Sequence, residues 1–414
     1  MKILLSALYP YVFLLLYLVI PFDNYIRALP NILVIILVVA FPFVVKKSDF
    51  KKLATPPMLL FFAFFVYLAV NSIFNGRIFD DFNIVKKVMI AAGLAILYIP
   101  VNDLKSFTGK TGKINTAIIA SALAAIIFTI YNFVIITHNS GNFALVDSPQ
   151  IIESLLIDRV YLGLLCCLSI VISFTAIQKR YHPSNNYYLA NIILNLIFIV
   201  LIGSKIAMVS LVVIALVRQF YGQRKLWKML IAVTAVIAVI GLFYFIKNEK
   251  SFKNDSLANS KSTPAFIENS LTYELRAVVW KSTANIIKDE GFTFFGIGFD
   301  ETKDRLVANY KTSINDPQKR ERFIENRYNT HNQFLDFYLS AGFVSLLLFL
   351  LFIIVSFLVK RNQFLPIAML ALFVMYCSVE NLFNRQIGAY YAGFILIVLM
   401  VSNRRLKNNK IKEL

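Results

Sequence analysis

Residues 188–220 form one long apolar stretch, YLANIILNLIFIVLIGSKIAMVSLVVIALVRQF, which is interrupted only by Gly203-Ser204-Lys205. As a single helix this stretch is about 50 Å long at ~1.5 Å per residue, whereas a bilayer core of about 30 Å needs about 20 apolar residues. The alternative is two short helices with the tripeptide at the turn between them, which adds one membrane span. The choice between one helix and two decides the topology of everything downstream.

The whole chain has the composition of an integral membrane protein. Hydrophobic residues make up 58% of its 414 residues, charged residues make up 16%, and the mean hydropathy is +0.68. Soluble domains usually contain about 25% charged residues, so a soluble globular enzyme is excluded, and the apolar content excludes a disordered chain. The three cysteines lie in apolar runs, without metal-ligand spacing or a disulfide pattern, and neither a metal nor another cofactor is predicted.

Apolar segments of membrane-spanning length recur along the chain. With 188–220 counted as two helices, they predict twelve transmembrane helices at 3–22, 31–45, 55–74, 84–101, 115–136, 160–178, 188–220, 229–247, 335–358, 364–384 and 388–402. The first segment has no small-residue cleavage site, so it is interpreted as a retained transmembrane helix. The predicted fold class is therefore an all-α integral membrane protein.

The distribution of Lys and Arg selects the twelve-helix topology. With both termini in the cytoplasm, the inner segments carry 21 Lys and Arg against 7 in the short outer loops and helix ends, as the positive-inside rule requires. Eleven helices reverse the balance to 11 inside and 16 outside, and they place Lys205 at mid-membrane at a cost of at least about 2.5 kcal/mol. The net charge of +19 therefore indicates membrane topology and not nucleic-acid binding.

Three regions follow from this topology. Residues 1–247 hold transmembrane helices 1–9, residues 248–334 form one large periplasmic loop, and residues 335–414 hold transmembrane helices 10–12 and a cytoplasmic tail. The second half of the loop contains an apolar turn, FFGIGF at 294–299, and then a stretch of mixed charge at 303–327.

The first half of the periplasmic loop contains an amphipathic helix. Residues 248–268 are interpreted as a flexible arm because they are rich in Asn, Lys, Ser and Asp. Apolar residues then recur at helical spacing over 271–287, and Gly291 ends the pattern. This helix carries Arg276 and Trp280, and the whole loop is expected to form a lid over a site at the membrane surface.

The loop ends at a candidate catalytic histidine. Thr330 and Gln333 have the spacing of a capping box, which predicts a helix that starts at Thr330 with His331 in its first turn, at the outer membrane face. The positive end of the helix dipole disfavours protonation of an imidazole there, so His331 can accept a proton as a general base. The alternative is a histidine that only caps or packs at the interface.

Cations at the outer ends of the predicted helices oppose the positive-inside rule and need another explanation. They include Lys205 at the hairpin tip, Arg159 and Arg385, and Arg276 of the loop helix can reach the same surface. Such a cluster beside an apolar groove suits a lipid-linked phosphate, held by charge-assisted hydrogen bonds. Glu380 either belongs to this site or forms an ion pair with Arg385 that stabilises the last hairpin.

The order of these motifs resembles the bacterial O-antigen ligase and polysaccharide polymerase superfamily. A hairpin with Ser204-Lys205 is followed by a loop helix with Arg and Trp (LRAVVW, 275–280), a Gly-x-Gly turn (296–298) and His331-Asn332 at a helix start. The motifs cover residues 200–345, and the twelve helices with a large outer loop match over the whole chain.

This resemblance implies a GT-C-like, metal-independent membrane glycosyltransferase of lipopolysaccharide or polysaccharide biosynthesis. Such enzymes lie in the inner membrane and move a glycan from undecaprenyl diphosphate to an acceptor sugar at the periplasmic face. A ligase uses the lipid A core as acceptor, and a polymerase uses a second lipid-linked glycan; both remain open. A flippase for lipid-linked sugars is a further alternative, although transporters usually show repeat symmetry, and here the motifs fall only in the second half.

The resemblance also implies roles for individual residues. His331 corresponds to the family's catalytic histidine, and Lys205 and Arg276 correspond to basic residues that bind the diphosphate, with Arg159 and Arg385 as further candidates. Ser204, Trp280, Asn332 and Glu380 are supporting residues. The hairpin position is usually Arg in the family, and Lys205 supplies the charge without the bidentate geometry.

Overall fold

The computed structural model describes residues 2–101, 112–140, 148–178, 180, 182–221 and 264–401, and all regular secondary structure in these ranges is helical. The longer helices are α1 (Lys2–Val19), α2 (Leu29–Val44), α3 (Pro56–Phe74), α4 (Ile78–Tyr98), α5 (Lys113–Ser140), α6 (Ser148–Leu155), α7 (Arg159–Ala176), α8 (Ser184–Leu201), α9 (Lys205–Gln219), α10 (Pro264–Glu290), α11 (Phe299–Ser313), α12 (Pro317–Asn326), α13 (Gln333–Lys360), α14 (Phe364–Val379) and α15 (Gln386–Val401). Shorter helical segments occupy Ile20–Phe22, Asp23–Ile26, Lys47–Leu53 and Leu382–Asn384.

Many of these helices have the length and composition of membrane spans. Six helical segments of the described chain qualify, at Ile3–Ile26, Pro56–Phe74, Ile114–Ile136, Arg159–Ala176, Ser184–Leu201 and Gln333–Lys360. Shorter apolar helices lie at Leu29–Val44, Phe364–Val379 and Gln386–Val401. The prediction of an α-helical integral membrane protein is confirmed. The count of twelve stays a prediction, because the segment 229–247 and the tail from 402 lie outside the described residues.

The long apolar stretch folds as two helices, as predicted. Gly203 lies between α8 and α9 with φ of +60°, a left-handed conformation that ends the first helix. Helix α8 runs antiparallel to α7, because Asn191 Nδ2 donates to Ser173 Oγ (2.8 Å) and Asn195 Nδ2 reaches Ser169 Oγ (3.5 Å). These amide–hydroxyl contacts pair polar groups that are buried between the two helices.

Helix α9 runs parallel to α7. Ser204 packs against Gly163 near the start of α7, and one turn further along both helices the Cys167 thiol lies 3.6 Å from the carbonyl of Ala207. Since α8 is antiparallel and α9 parallel to the same helix, the two form a hairpin with Gly203 at its tip. The N-terminal ends of α7 and α9 therefore lie at the same end of the structure.

Residues 264–332 form a helical segment with a small apolar core of its own. Helix α10 ends where Gly291 adopts φ of +70°, as predicted, but it begins at Pro264, so the last residues of the predicted arm are helical and 248–263 lie outside the described residues. The mixed-charge stretch contains α11 and α12, which the sequence analysis did not predict. The buried core consists of Val279, Ile286, Leu306, Tyr310, Ile314, Phe323 and Leu339 of α13.

Helix α13 is broken at Gly342, and the loop supplies the hydrogen bonds that the break removes. Gly342 has φ of +83° and ψ of 178°. The carbonyls of Leu339 and Ser340 accept hydrogen bonds from the backbone N–H groups of Ile297 (2.9 Å) and Gly298 (2.8 Å). Unpaired backbone groups in an apolar environment are costly, so the α10–α11 turn replaces the missing helical bonds.

Gly342→Ala is expected to destabilise the protein. Its Cβ would lie 2.1 Å from the carbonyl oxygen of Phe294, and a side chain in this backbone conformation costs about 1–3 kcal/mol before that clash is counted. Gly93→Ala is the matched control, because nothing lies within 4 Å of its Cβ and the helix gains up to about 1 kcal/mol. Thermal unfolding in detergent measures both variants; equal melting temperatures would show that the break carries no constraint.

Candidate active site

Two segments of the chain lie side by side: one leads into the start of α13, and the other follows the end of α14. Residues 329–333 and 378–383 are joined across the gap by side chains, and we call them the connector pair. Thr330 and Gln333 are fully buried within it. The bonds are Asn381 Nδ2 to Thr330 Oγ1 (2.9 Å), Asn332 Nδ2 to the Ser378 carbonyl (3.0 Å) and Phe383 N–H to Gln333 Oε1 (3.0 Å).

The predicted start of the helix at Thr330 is wrong. Helix α13 begins at Gln333, and its N-cap is Asn332, whose side chain accepts the N–H groups of the second and third helical residues at 3.0 and 3.1 Å. The Thr330 hydroxyl bonds to the side chain of Asn381 instead, so Thr330 does not cap the helix. His331 therefore precedes the helix, and it does not lie in its first turn.

His331 adopts a strained conformation and presents one ring nitrogen without a partner. Its φ is +44°, which is uncommon outside glycine, and its N–H donates to Asn329 Oδ1 (3.0 Å). Ring atom Nδ1 lies 3.2 Å from Glu380 Oε2. The Nε2 atom is buried and has no hydrogen-bond partner among the described residues. A carboxylate that accepts Nδ1–H leaves the lone pair on Nε2.

Glu380 directly follows the last residue of α14, and its carboxyl interacts with His331, Arg276 and Arg385. Burial raises the pKa of this carboxyl, but the hydrogen bond to His331 and the charges of Arg276 and Arg385 outweigh burial, so the pKa is lowered overall. The carboxylate form is thus favoured although the side chain is only 13% exposed. This fixes the orientation of the imidazole.

Arg276 brings the loop helix α10 to the same place. Its Nε donates to the carbonyl of Val379, the last residue of α14, at 3.1 Å. Burial lowers the pKa of Arg276, the nearby Glu380 carboxylate opposes that shift, and the positive charge of Arg159 adds to it. The guanidinium remains charged in any case, so a partly desolvated cation stands beside the His331–Glu380 pair.

Arg159 and Arg385 add positive charge to this cluster: Arg159 acts on Arg276, and Arg385 acts on Glu380. Arg385 pairs with Asp158 at 3.7 Å, and Asp158 caps α7 by accepting the N–H of Val160 (2.9 Å). The alternative of a Glu380–Arg385 ion pair is therefore wrong, because Glu380 turns towards His331. Arg385 still contributes its charge to the Glu380 environment. Arg159 is the first residue of α7.

The hairpin tip reaches the start of α7. Ser204 is 3% exposed, and a Cβ on Gly163 would lie 2.4 Å from its hydroxyl oxygen. Gly163 stands one helical turn after Arg159, so Lys205 begins α9 within about a turn of that residue. Because helix N-termini carry a partial positive charge, the starts of α7 and α9 add to the positive potential here.

Among the described residues, Trp280 makes no hydrogen bond or ring contact with His331, Glu380 or Arg276. It lies one turn beyond Arg276 on α10 and is 36% exposed. The sequence pattern did not predict that Thr330 and Gln333 pair with Asn381 and Phe383 across the connector pair. Their signal is present in the sequence, because polar residues flank two strongly apolar helices, but only the fold shows that they face each other.

In the described part of the chain, no group of three His, Cys, Asp or Glu side chains is placed to hold a metal ion. The polar groups that the structure gathers at this end are side-chain cations, two helix N-termini, the imidazole of His331 and the carboxylates of Glu380 and Asp158. Such a set can bind a phosphate-bearing ligand and can transfer a proton at His331.

Part of the chain matches a known protein family. The sequence profile described as O-antigen ligase matches residues 190–350. The match confirms the resemblance to the O-antigen ligase and polysaccharide polymerase superfamily and assigns this segment, from α8 to the middle of α13, to the O-antigen ligase domain. It includes Lys205, Arg276 and His331, whereas Arg159, Glu380 and Arg385 lie outside it. None of the curated proteins matches the chain significantly.

Proposed function

We propose that this protein is an O-antigen ligase-type glycosyltransferase, which moves a glycan from undecaprenyl diphosphate to a sugar of the lipid A core. One observation carries the proposal. The buried Nε2 of His331 has no partner among the described residues, and Nδ1 is held by Glu380 beside a cluster of cations. We place the protein in the bacterial inner membrane, with both termini in the cytoplasm and the site facing the periplasm.

His331 acts as the general base in this proposal. Its Nε2 takes the proton of the acceptor hydroxyl as the hydroxyl oxygen bonds to the anomeric carbon of the donor sugar. The bond between that carbon and the diphosphate oxygen breaks on the opposite face, so the configuration inverts. Glu380 stabilises the imidazolium that forms, in the way a carboxylate supports the histidine of a hydrolase triad.

The cations receive the leaving group. Arg276 uses Nε to hold Val379, which orients its two terminal nitrogens as donors towards a phosphate. Lys205, Arg159 and Arg385 add positive charge near the hairpin tip. Charge that develops on the diphosphate as the bond breaks is stabilised by these fixed groups, which is usually the largest single contribution to catalysis of this kind. The segment 264–332 covers the site and takes part in acceptor selection.

The base is tested by His331→Ala and His331→Gln. A general base contributes about 10²–10⁴ in rate, so both variants are expected to lose that much in kcat while they still bind lipid-linked donor. Gln keeps the hydrogen bond but takes up no proton at neutral pH. The measurement is the initial rate of purified protein with donor binding measured in parallel. A His331→Gln variant as fast as the wild type would leave His331 only an acceptor-positioning role.

The role of Glu380 is tested by the split between kcat and KM. Glu380→Gln removes one charge-assisted hydrogen bond, worth about 1.5–3 kcal/mol, so kcat is expected to fall roughly ten- to hundredfold with little change in KM. Glu325→Gln, on the exposed face of α12, is the matched control for losing a carboxylate. An unchanged kcat in Glu380→Gln contradicts the orienting role.

The diphosphate site is tested by Arg276→Ala and Lys205→Ala. Charge-assisted contacts of about 1.5–3 kcal/mol predict losses of about ten- to a hundredfold in kcat/KM for each. Lys205→Arg is expected to retain activity, because the charge is kept. Lys311→Ala, on the exposed end of α11, controls for loss of a surface cation. Full activity in both alanine variants at equal expression removes the diphosphate from this surface.

The acceptor is tested in a deletion strain. Loss of all polymer on the lipid A core, with accumulation of polymer on the lipid carrier, is the result expected for a ligase. Single repeat units on the core indicate a polymerase and contradict the proposed acceptor. Complementation with wild type and with His331→Ala, at matched expression, shows whether the banding pattern depends on the proposed site.

A further inference from the structure

The turn between α10 and α11 lies deeper along the transmembrane helices than a surface loop. The Tyr67 hydroxyl donates to the carbonyls of Phe294 (3.1 Å) and Ala341 (3.0 Å). Tyr67 is seven residues before the end of α3 at Phe74, which is about 10 Å along the helix axis at ~1.5 Å per residue. The turn thus runs along the end of α3, from Tyr67 about 10 Å inside the helix to Asn71 and to Arg77 just beyond it.

Helix α13 gives the same depth independently. The turn bonds to α13 at Leu339 and Ser340, six and seven residues after the helix begins, again about 10 Å from its end. From the break at Gly342 to Lys360 at the other end is about 27 Å, close to the bilayer core of about 30 Å. With Lys360 at one boundary of the core, the break and the turn stand at the opposite boundary.

Several backbone groups of the turn, among them the carbonyls of Phe294, Phe295, Gly296 and Gly298, are paired with protein groups. Irregular backbone at membrane depth is tolerated only when its polar groups are satisfied internally. The pairs are Asn71 Nδ2 with Phe295 O (2.9 Å), Arg77 Nη1 with Gly296 O (3.0 Å), Thr293 Oγ1 with Gly296 N (2.9 Å), Asp81 Oδ1 with Phe299 N (2.7 Å) and Thr302 Oγ1 with Gly298 O (2.7 Å).

The side chains of the turn show the opposite pattern, because they are large, apolar and exposed. Phe292, Phe294 and Phe295 are 60%, 56% and 58% exposed, and Phe343, next to the break in α13, is 36% exposed. The ring of Phe292 contacts those of Phe294 (4.8 Å between centroids) and Phe343 (5.2 Å). These four residues form what we call the phenylalanine patch. Phe299, at the end of the same turn, is only 4% exposed.

We infer that the phenylalanine patch is a membrane anchor that inserts into the leaflet on the side of residues 264–332, with lipid acyl chains as its occupant. The patch continues the exposed apolar face of α13, where Leu347, Leu350 and Ile354 are 41%, 37% and 51% exposed. A contiguous exposed apolar patch of this kind is typical of a membrane or protein interaction surface, and its continuity with the apolar face of α13 favours the membrane. The inference is independent of the glycosyl transfer, because it concerns how the segment is held and not what it does.

Depth-dependent fluorescence quenching tests the anchor. Trp227 and Trp280 are replaced by Phe, and a single reporter is placed by Phe295→Trp in purified full-length protein reconstituted in phosphatidylcholine vesicles. Lipids brominated near the headgroup end of the acyl chain are expected to quench this reporter more than lipids brominated at the chain end, and aqueous iodide is expected to quench it weakly. Phe294→Trp serves as a second reporter if the first variant does not fold.

Lys311→Trp in the same background is the matched control, because it is exposed at the other end of α11. It is expected to be quenched by iodide and not by brominated lipid. Iodide quenching of Phe295→Trp equal to that of the control would place the turn in water and overturn the anchor. Protection from both quenchers would mean that protein covers the patch, and loss of lipid quenching on addition of polyprenyl phosphate would mean an isoprenoid site; both results also overturn it.

Discussion

A bilayer core offers no hydrogen-bond partners to an interrupted helix, and this constraint accounts for much of the structure. The break at Gly342 frees carbonyls of α13; those of Leu339 and Ser340 accept hydrogen bonds from backbone N–H groups of the α10–α11 turn, and that of Ala341 accepts one from the Tyr67 hydroxyl. Residues 264–332 are therefore joined to α13 through main-chain bonds that do not depend on side-chain identity, and to α3 through side chains such as Tyr67 and Asn71. Because α10 ends at that turn, the same bonds fix where Arg276 can stand.

Buried polar side chains then set the geometry of the candidate site. Thr330, Gln333 and Asn381 have no access to water, and each finds its partner on the opposite segment of the connector pair. Fully satisfied polar networks of this kind favour one arrangement over others. The backbone conformation of His331 costs about 1–3 kcal/mol, and the bonds made by these neighbouring residues stabilise it. Strain of this kind often occurs at functional sites, and here it coincides with the unpartnered ring nitrogen.

How far the sequence predicts this protein depends on the range of the interactions. The hairpin at Gly203 follows from the length of its apolar stretch and from the distribution of Lys and Arg along the chain, and the loop helix over 271–287 follows from its apolar spacing, because neither depends on a contact between particular distant side chains. The start of α13 does not follow in this way, because the partner that removes Thr330 from its capping role is Asn381, some fifty residues away. The ion pair of Arg385 with Asp158 could not be predicted for the same reason, because the two residues are far apart in the sequence. Helices α11 and α12 escaped prediction because they are mostly charged, and only a few residues such as Leu306 and Phe323 reach the small core.

The parallel arrangement of α7 and α9 has a consequence for how this end of the molecule tolerates change. Each helix N-terminus acts as roughly half a positive elementary charge, and that charge belongs to aligned peptide groups. Two such ends side by side form a source of positive potential that belongs to the backbone, although the Asp158 carboxylate that caps α7 offsets part of it. The basic residue at the hairpin tip can therefore change between related proteins, as at Lys205, while the positive potential of the two helix N-termini is kept as long as the fold is kept.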